Sequence, residues 1–108
     1  MADIEFKEEE GQDLEKLIQE HKDTPTFIDF NATWCGPCRA LKPQLKKICQ
    51  DNKFNFVSVD VDENPDSSEK YGVQGIPYVA LYVKGEKVYE FTGNKQEKLN
   101  EAIEIAKK

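Results

Sequence analysis

The sequence predicts an α/β protein with five strands and four helices in one domain over residues 1–108. Three observations predict it. The runs Thr26–Ala32 and Phe54–Val61 are rich in β-forming residues and flank a segment with apolar residues at helical spacing, so strand, helix and strand form a crossover with parallel pairing. Tyr78–Val83 and Lys87–Thr92 are joined by Lys84-Gly85-Glu86, which reads as an antiparallel hairpin. The 108 residues, 38% of them hydrophobic, suffice for one core without covalent staples, and no repeat, linker or low-complexity tract divides them.

Along the chain, Ile4-Glu5-Phe6 reads as a short first strand. Leu14, Leu17 and Ile18 share one face of a helix over 13–21, which Thr24-Pro25 stops. The strand Thr26–Ala32 follows. A second helix opens at the motif Cys35-Gly36-Pro37-Cys38, and Leu41, Leu45, Ile48 and Cys49 stand at i, i+4, i+7 and i+8 on one buried stripe. Pro43 removes a hydrogen bond within this helix and predicts a kink. In Phe54–Val61 the alternation breaks between Phe56 and Val57, which predicts apolar contacts on both faces of the strand. Asn64-Pro65 begins a short helix reaching Tyr71. Gly72 and Gly75 frame a loop that ends in Ile76-Pro77, ahead of the hairpin. Gly93 closes the hairpin, and Leu99, Ala102, Ile103 and Ala106 stripe a final helix.

The net charge of −6 argues against binding to a nucleic-acid backbone, which needs clustered Lys and Arg. The acidity serves solubility, with steering of a basic partner as the sharper reading. The first residues show no basic region followed by an apolar core, so no signal peptide is expected. No apolar run approaches the roughly 18 residues of a membrane span. A soluble protein in a reducing, cytoplasmic compartment is the expectation, and there a CxxC dithiol is regulated or catalytic rather than structural.

The motif Trp34-Cys35-Gly36-Pro37-Cys38 carries the chemistry. Residues i and i+3 of a helix lie roughly 5 Å apart at Cα, within the range a disulfide tolerates, so the pair can switch between dithiol and disulfide. Only a thiolate attacks a disulfide. Cys35 follows a strand and stands where a helix begins, so free N–H groups and the positive end of the helix dipole lower its pKa. Pro37 has no N–H to leave unpaired and fixes φ for the first turn. Cys38 lies one turn in and is less accessible. Cys35 is therefore expected to attack the substrate and form a mixed disulfide, which Cys38 then resolves. A structural zinc site needs four ligands, and beyond this pair only Cys49 and His21 remain, without paired spacing, so no metal is expected.

The segment Phe27 to Cys38 resembles the active-site signature of the thioredoxin family. Further landmarks match at Pro43, Asp60 with Asp62, Asn64-Pro65, Tyr71-Gly72-Val73, Gly75-Ile76-Pro77, Gly85 and Gly93, so the resemblance covers nearly the whole chain. It implies a thioredoxin-like fold, a central mixed five-stranded sheet flanked by four helices, and reduction of protein disulfides through a redox-active Cys35–Cys38 pair. The Gly36-Pro37 dipeptide resembles the reducing branch of the family, at the low-potential end. By resemblance, Asp29 is a buried carboxylate that transfers a proton for Cys38, its pKa raised toward neutrality by burial. The Ile76–Pro77 bond is expected to be cis, and Trp34, Gly75, Ile76, Pro77 and Gly93 to form a flat substrate-binding surface. No bound cofactor is implied. The resemblance further implies reducing equivalents from NADPH through a thioredoxin reductase, with peroxiredoxin, ribonucleotide reductase and methionine sulfoxide reductase as recipients. A monomer is expected.

Cys49 is expected in the core and His21 at the end of the first helix, facing its dipole. Three positions depart from the family pattern. Ser58 replaces the lysine that bacterial members place near the buried carboxylate. Tyr78 follows the proline where Thr is usual and is expected to alter the substrate groove. Asn31 stands where an aromatic or small residue is common. Two rivals remain: a redox-gated binding module with little turnover, and an isomerase-like domain, which Pro37 disfavours.

Overall fold

A computed structural model describes residues 1–108. Its strands are β1 (Asp3–Glu5), β2 (Thr26–Asn31), β3 (Asn55–Asp60), β4 (Tyr78–Val83) and β5 (Glu86–Thr92). Its helices are α1 (Leu14–Glu20), α2 (Gly36–Asn52), α3 (Pro65–Lys70) and α4 (Gln96–Ala106). The sheet order is β1-β3-β2-β4-β5. β1, β3 and β2 run parallel, and β4 and β5 are antiparallel to their neighbours. This is the mixed sheet expected, with the hairpin at its antiparallel end.

The broken alternation of β3 has a direct structural counterpart. Phe54 and Phe56 join a core with Phe27, Leu41, Leu45, Cys49, Leu81 and Leu99, beneath α2 and α4. Val57 and Val59 join a second core with Phe6, Leu14, Leu17, Ile18, Ile28 and Phe30, on the α1 face. Every residue of β2 and β3 is buried, because parallel central strands are covered on both faces.

Helix ends follow local chemistry. Asp13 caps α1, accepting from the N–H groups of Glu15 and Lys16. His21 ends it, with Nδ1 3.0 Å from the Leu17 carbonyl oxygen, as its position predicted. One element has no counterpart in the sequence reading: a 3-10 turn at Glu8–Glu10. Its Glu8 carboxylate accepts from the N–H groups of Asp66 and Ser67, so a distant residue caps α3 and holds that carboxylate below its usual range.

Candidate active site

β2 delivers the chain to the site. Its alternation sends Ile28 and Phe30 to the α1 side and Phe27 to the α2 side, and Asp29 and Asn31 share the parity of Phe27. After a turn through Thr33 and Trp34, Cys35 is the N-cap of α2, with an extended backbone at φ −88° and ψ 111°. The Cys38 N–H donates to Cys35 Sγ at 3.2 Å. Pro37 occupies the first turn. The two cysteines form a disulfide with Cα atoms 5.3 Å apart. Cys35 is 6% exposed and Cys38 2%, the order of accessibility expected from one turn of helix. The Cys38 N–H directed at the Cys35 sulfur from the first turn of α2 is the kind of donor that stabilises negative charge at a helix N-terminus.

Ala32, Cys35 and Cys38 form a small apolar cluster on which Val61 and Ile76 pack. The Ile76–Pro77 bond is cis, as the resemblance implied. The Pro77 carbonyl accepts from the Gly93 N–H at 2.7 Å, which ties that loop to the end of β5. Gly93 adopts φ +94°, a conformation that side chains disfavour. A Cβ at Gly75 would meet Thr92 Cγ2 at 3.2 Å. Gly75, Ile76, Pro77 and Gly93 thus gather at one end of the sheet, with Ile76 against the cysteine cluster.

Trp34 is 66% exposed, and its indole N–H donates to Asp62 Oδ2 at 2.7 Å. Asp62 is presented by Asp60, whose Oδ1 accepts from the N–H groups of Asp62 and Glu63. The sequence marks this Asp60–Asp62 pair only as a landmark. Nothing local indicates that a carboxylate 28 residues away meets the indole.

Asp29 is fully buried, and neither carboxylate oxygen has a hydrogen-bond partner. Burial pushes its pKa up to about 7; the positive charge of Lys42 and the Asn31 side chain oppose this, and Glu5 reinforces it. An exposed strand face is excluded. Asn31 Nδ2 donates to the Asp29 main-chain carbonyl at 3.0 Å and to Ser58 Oγ at 2.9 Å, so two of the departures from the family pattern are joined beside this carboxylate. A cleft of about 400 Å³ opens behind the disulfide and is lined by Glu5, Asn31, Cys38, Arg39, Lys42 and Asp60, among others.

Tyr78 corrects one expectation. Its ring packs against Phe30 at 5.5 Å between centroids, in the core on the α1 face, and its hydroxyl donates to Glu90 at 2.7 Å. Successive strand residues point to opposite faces, so the residue after Pro77 faces away from the cysteines and does not shape the groove. Cys49 is fully buried, its thiol pushed up to about 12 by desolvation, as a core residue. No group of three or more His, Cys, Asp or Glu side chains is arranged to hold a metal ion.

A family model described as Thioredoxin matches residues 5–105. The chain belongs to the thioredoxin family. Thioredoxin from Gallus gallus is 37% identical over 94 residues, covering 84% of this chain and 88% of its own. Thioredoxin-2 of Pyricularia oryzae is 40% identical over 94 residues, 86% of this chain but 54% of that longer one. Among solved structures, reduced Schistosoma mansoni thioredoxin pre-protein superposes with a TM-score of 0.85 at 34% identity, covering 98% of this chain and 99% of that one. Family, fold and a cysteine pair at disulfide distance make this chain a thiol–disulfide oxidoreductase with protein-disulfide reductase function. Such proteins use their own cysteines and need no bound cofactor. The family implies disulfide-containing targets and a reductase that recharges it. No helix is long and apolar enough to cross a membrane.

Proposed function

We propose that the chain acts as one thioredoxin domain in which Cys35 is the nucleophile, Cys38 the resolving thiol and Asp29 the group that takes the Cys38 proton. The observation that carries this reading is the placement of Cys35 Sγ at the α2 N-cap, with the Cys38 N–H directed at it and Cys38 the more buried of the two. A target disulfide docks on the surface of Trp34, Gly75, Ile76, Pro77 and Gly93, with Gly36 and Pro37 shaping the turn between the cysteines. The Cys35 thiolate attacks one target sulfur, and the other leaves as a thiolate. Cys38 then loses its proton to Asp29 and attacks Cys35 Sγ, which expels the second target thiolate and closes the Cys35–Cys38 disulfide.

The reductant for the next cycle is NADPH, delivered through a thioredoxin reductase. Peroxiredoxin, ribonucleotide reductase and methionine sulfoxide reductase are the recipients we assign, with the chain working as a cytoplasmic monomer. The test is trapping. The Cys38→Ser protein is expected to capture partners from lysate as mixed disulfides that dithiothreitol releases, and Cys35→Ser to capture none. The reverse pattern would exchange the two roles. Negligible insulin reduction by the wild type would favour a redox-gated binding module instead.

A further inference from the structure

The 3-10 turn at Glu8–Glu10 lies outside the active site, yet its hydrogen bonds lead there. Gly11 ends the turn at φ +81°, and its N–H donates to the Glu8 carbonyl at 3.0 Å. Glu8 meets the start of α3 in two ways. Its carboxylate accepts from the Ser67 N–H at 2.9 Å and the Asp66 N–H at 3.4 Å, both in the first turn of that helix. Its own N–H donates to Asn64 Oδ1 at 2.8 Å. Asn64 stands immediately before α3, where asparagine is a favoured capping residue, but its side chain makes no capping bond. It is fully buried and turned back into the β3–α3 connection, where Nδ2 donates to the Asp60 carbonyl at 2.9 Å and to the Phe6 carbonyl at 3.2 Å. Two carbonyl acceptors and one N–H donor fix which way the amide points. Capping and this inward pose are exclusive uses of one side chain. A carboxylate from a distant turn serves as the cap, and Asn64 is left to the connection.

From Asn64 the bonds continue to the docking surface. Asp60, held through its carbonyl, accepts from the N–H groups of Asp62 and Glu63 through Oδ1 at 2.8 and 3.2 Å. Asp62 Oδ2 in turn accepts from the Trp34 indole. The indole N–H is the only polar group of that exposed side chain, so its pose depends on where Asp62 stands. We propose that Glu8 is a positioning residue for target docking: by capping α3 in place of Asn64, it keeps the Asn64 amide on Asp60 and so holds Asp62 where it meets Trp34. The role rests on the reading that targets dock against Trp34. Without the Glu8 carboxylate, the Asp66 and Ser67 N–H groups lose their partner, and Asn64 is the residue placed to supply one. An Asn64 side chain drawn out to the helix gives up its bonds to Phe6 and Asp60, and Asp62 loses its support. The Lys7–Glu63 pair at 3.5 Å joins the same two segments, but it is exposed and adds little.

The chain has a single tryptophan, so one indole N–H resonance reports on the contact. The test records that resonance by NMR, with KM and kcat for insulin reduction and the urea midpoint, in Glu8→Ala, Glu8→Gln, Asp62→Ala and the double variant Glu8→Ala with Asp62→Ala. Glu8→Ala is expected to shift the indole resonance toward its position in Asp62→Ala. It should raise KM at least about two-fold with kcat unchanged, the low end for members of one hydrogen-bond network. Glu8→Gln keeps an oxygen for the Ser67 N–H and should leave both close to wild type; a glutamine variant that behaves like the alanine one overturns the capping account. In the Asp62→Ala background, removal of Glu8 should change neither readout. A purely structural role lowers the urea midpoint of Glu8→Ala and leaves the indole and KM in place, which overturns the proposal. A rise in KM that persists undiminished in the Asp62→Ala background overturns it too, since the effect then bypasses Asp62. An indole that shifts while KM stays fixed overturns instead the assignment of Trp34 to the docking surface.

Discussion

The buried carboxylate makes a sharp prediction about stability. In the folded protein Asp29 titrates near 7, raised from 3.8 by desolvation. Below pH 3.8 both folded and unfolded chains hold its proton, and well above 7 neither does. Between these limits only the unfolded chain has released it. The stabilising contribution is therefore complete at acid pH, is lost as the pH rises through about 7 and stays lost above it. A displacement of this size corresponds to about 4 kcal/mol. Asp29→Asn replaces the carboxylate with a neutral group of similar shape. Its amide is also buried without an evident partner, which costs about 1–3 kcal/mol, but that cost does not depend on pH. The variant should therefore gain on the wild type by about 3 kcal/mol between pH 4.5 and 9, because about 1 kcal/mol is already lost at pH 4.5. Urea unfolding of the oxidised proteins measures this. With a slope of about 1–3 kcal/mol per molar, the gap between midpoints should widen by more than about 1 M. A gap that stays constant across this range would show that Asp29 does not hold its proton in the folded state.

The same substitution should slow resolution of a mixed disulfide at neutral pH by about 100-fold, the lower end for a lost general base, in stopped-flow measurements; unchanged kinetics would remove Asp29 from the mechanism. Asp62→Ala frees the exposed Trp34 indole from its 2.7 Å hydrogen bond, so tryptophan fluorescence should change and kcat/KM for insulin reduction should fall by several-fold, the loss of about 1 kcal/mol of positioning. In the reduced native protein at neutral pH, iodoacetamide should modify Cys35 and leave Cys49 unmodified until denaturant is added, since the Cys49 thiol is fully buried and pushed up to about 12. Early modification of Cys49, read by peptide mass spectrometry, would place that residue outside the core.

Most element boundaries were legible because their signals are local. Asp13 and Thr24-Pro25 bracket α1, Pro37 and the N-cap Cys35 open α2, and Lys84-Gly85 turns the hairpin. The first strand runs Asp3–Glu5 instead of Ile4–Phe6; Phe6 follows its last register pair, though its N–H still donates to the Ser58 carbonyl at 2.9 Å. The 3-10 turn at Glu8–Glu10 has no local signal, because a run of three glutamates shows no apolar period. It is fixed by Asn64 and by the start of α3, far along the chain. The place of Tyr78 is hidden from the sequence for a related reason. Its position after Pro77 is visible in sequence, but the face it occupies depends on the pairing of β4 with β2.

By itself the sequence determined the order of strands and helices, the two cysteines one turn apart and the asymmetry between them. Each of these depends on residues within a few positions of one another, where backbone geometry and capping act directly. Only the tertiary structure decided that Asp29 loses all contact with water, that Trp34 meets Asp62 and that Lys42 stands with Glu5 over the cleft. Those facts arise because β2 lies between β3 and β4 with α2 laid across its face. Desolvation and charge act through space, between residues that the chain itself keeps far apart.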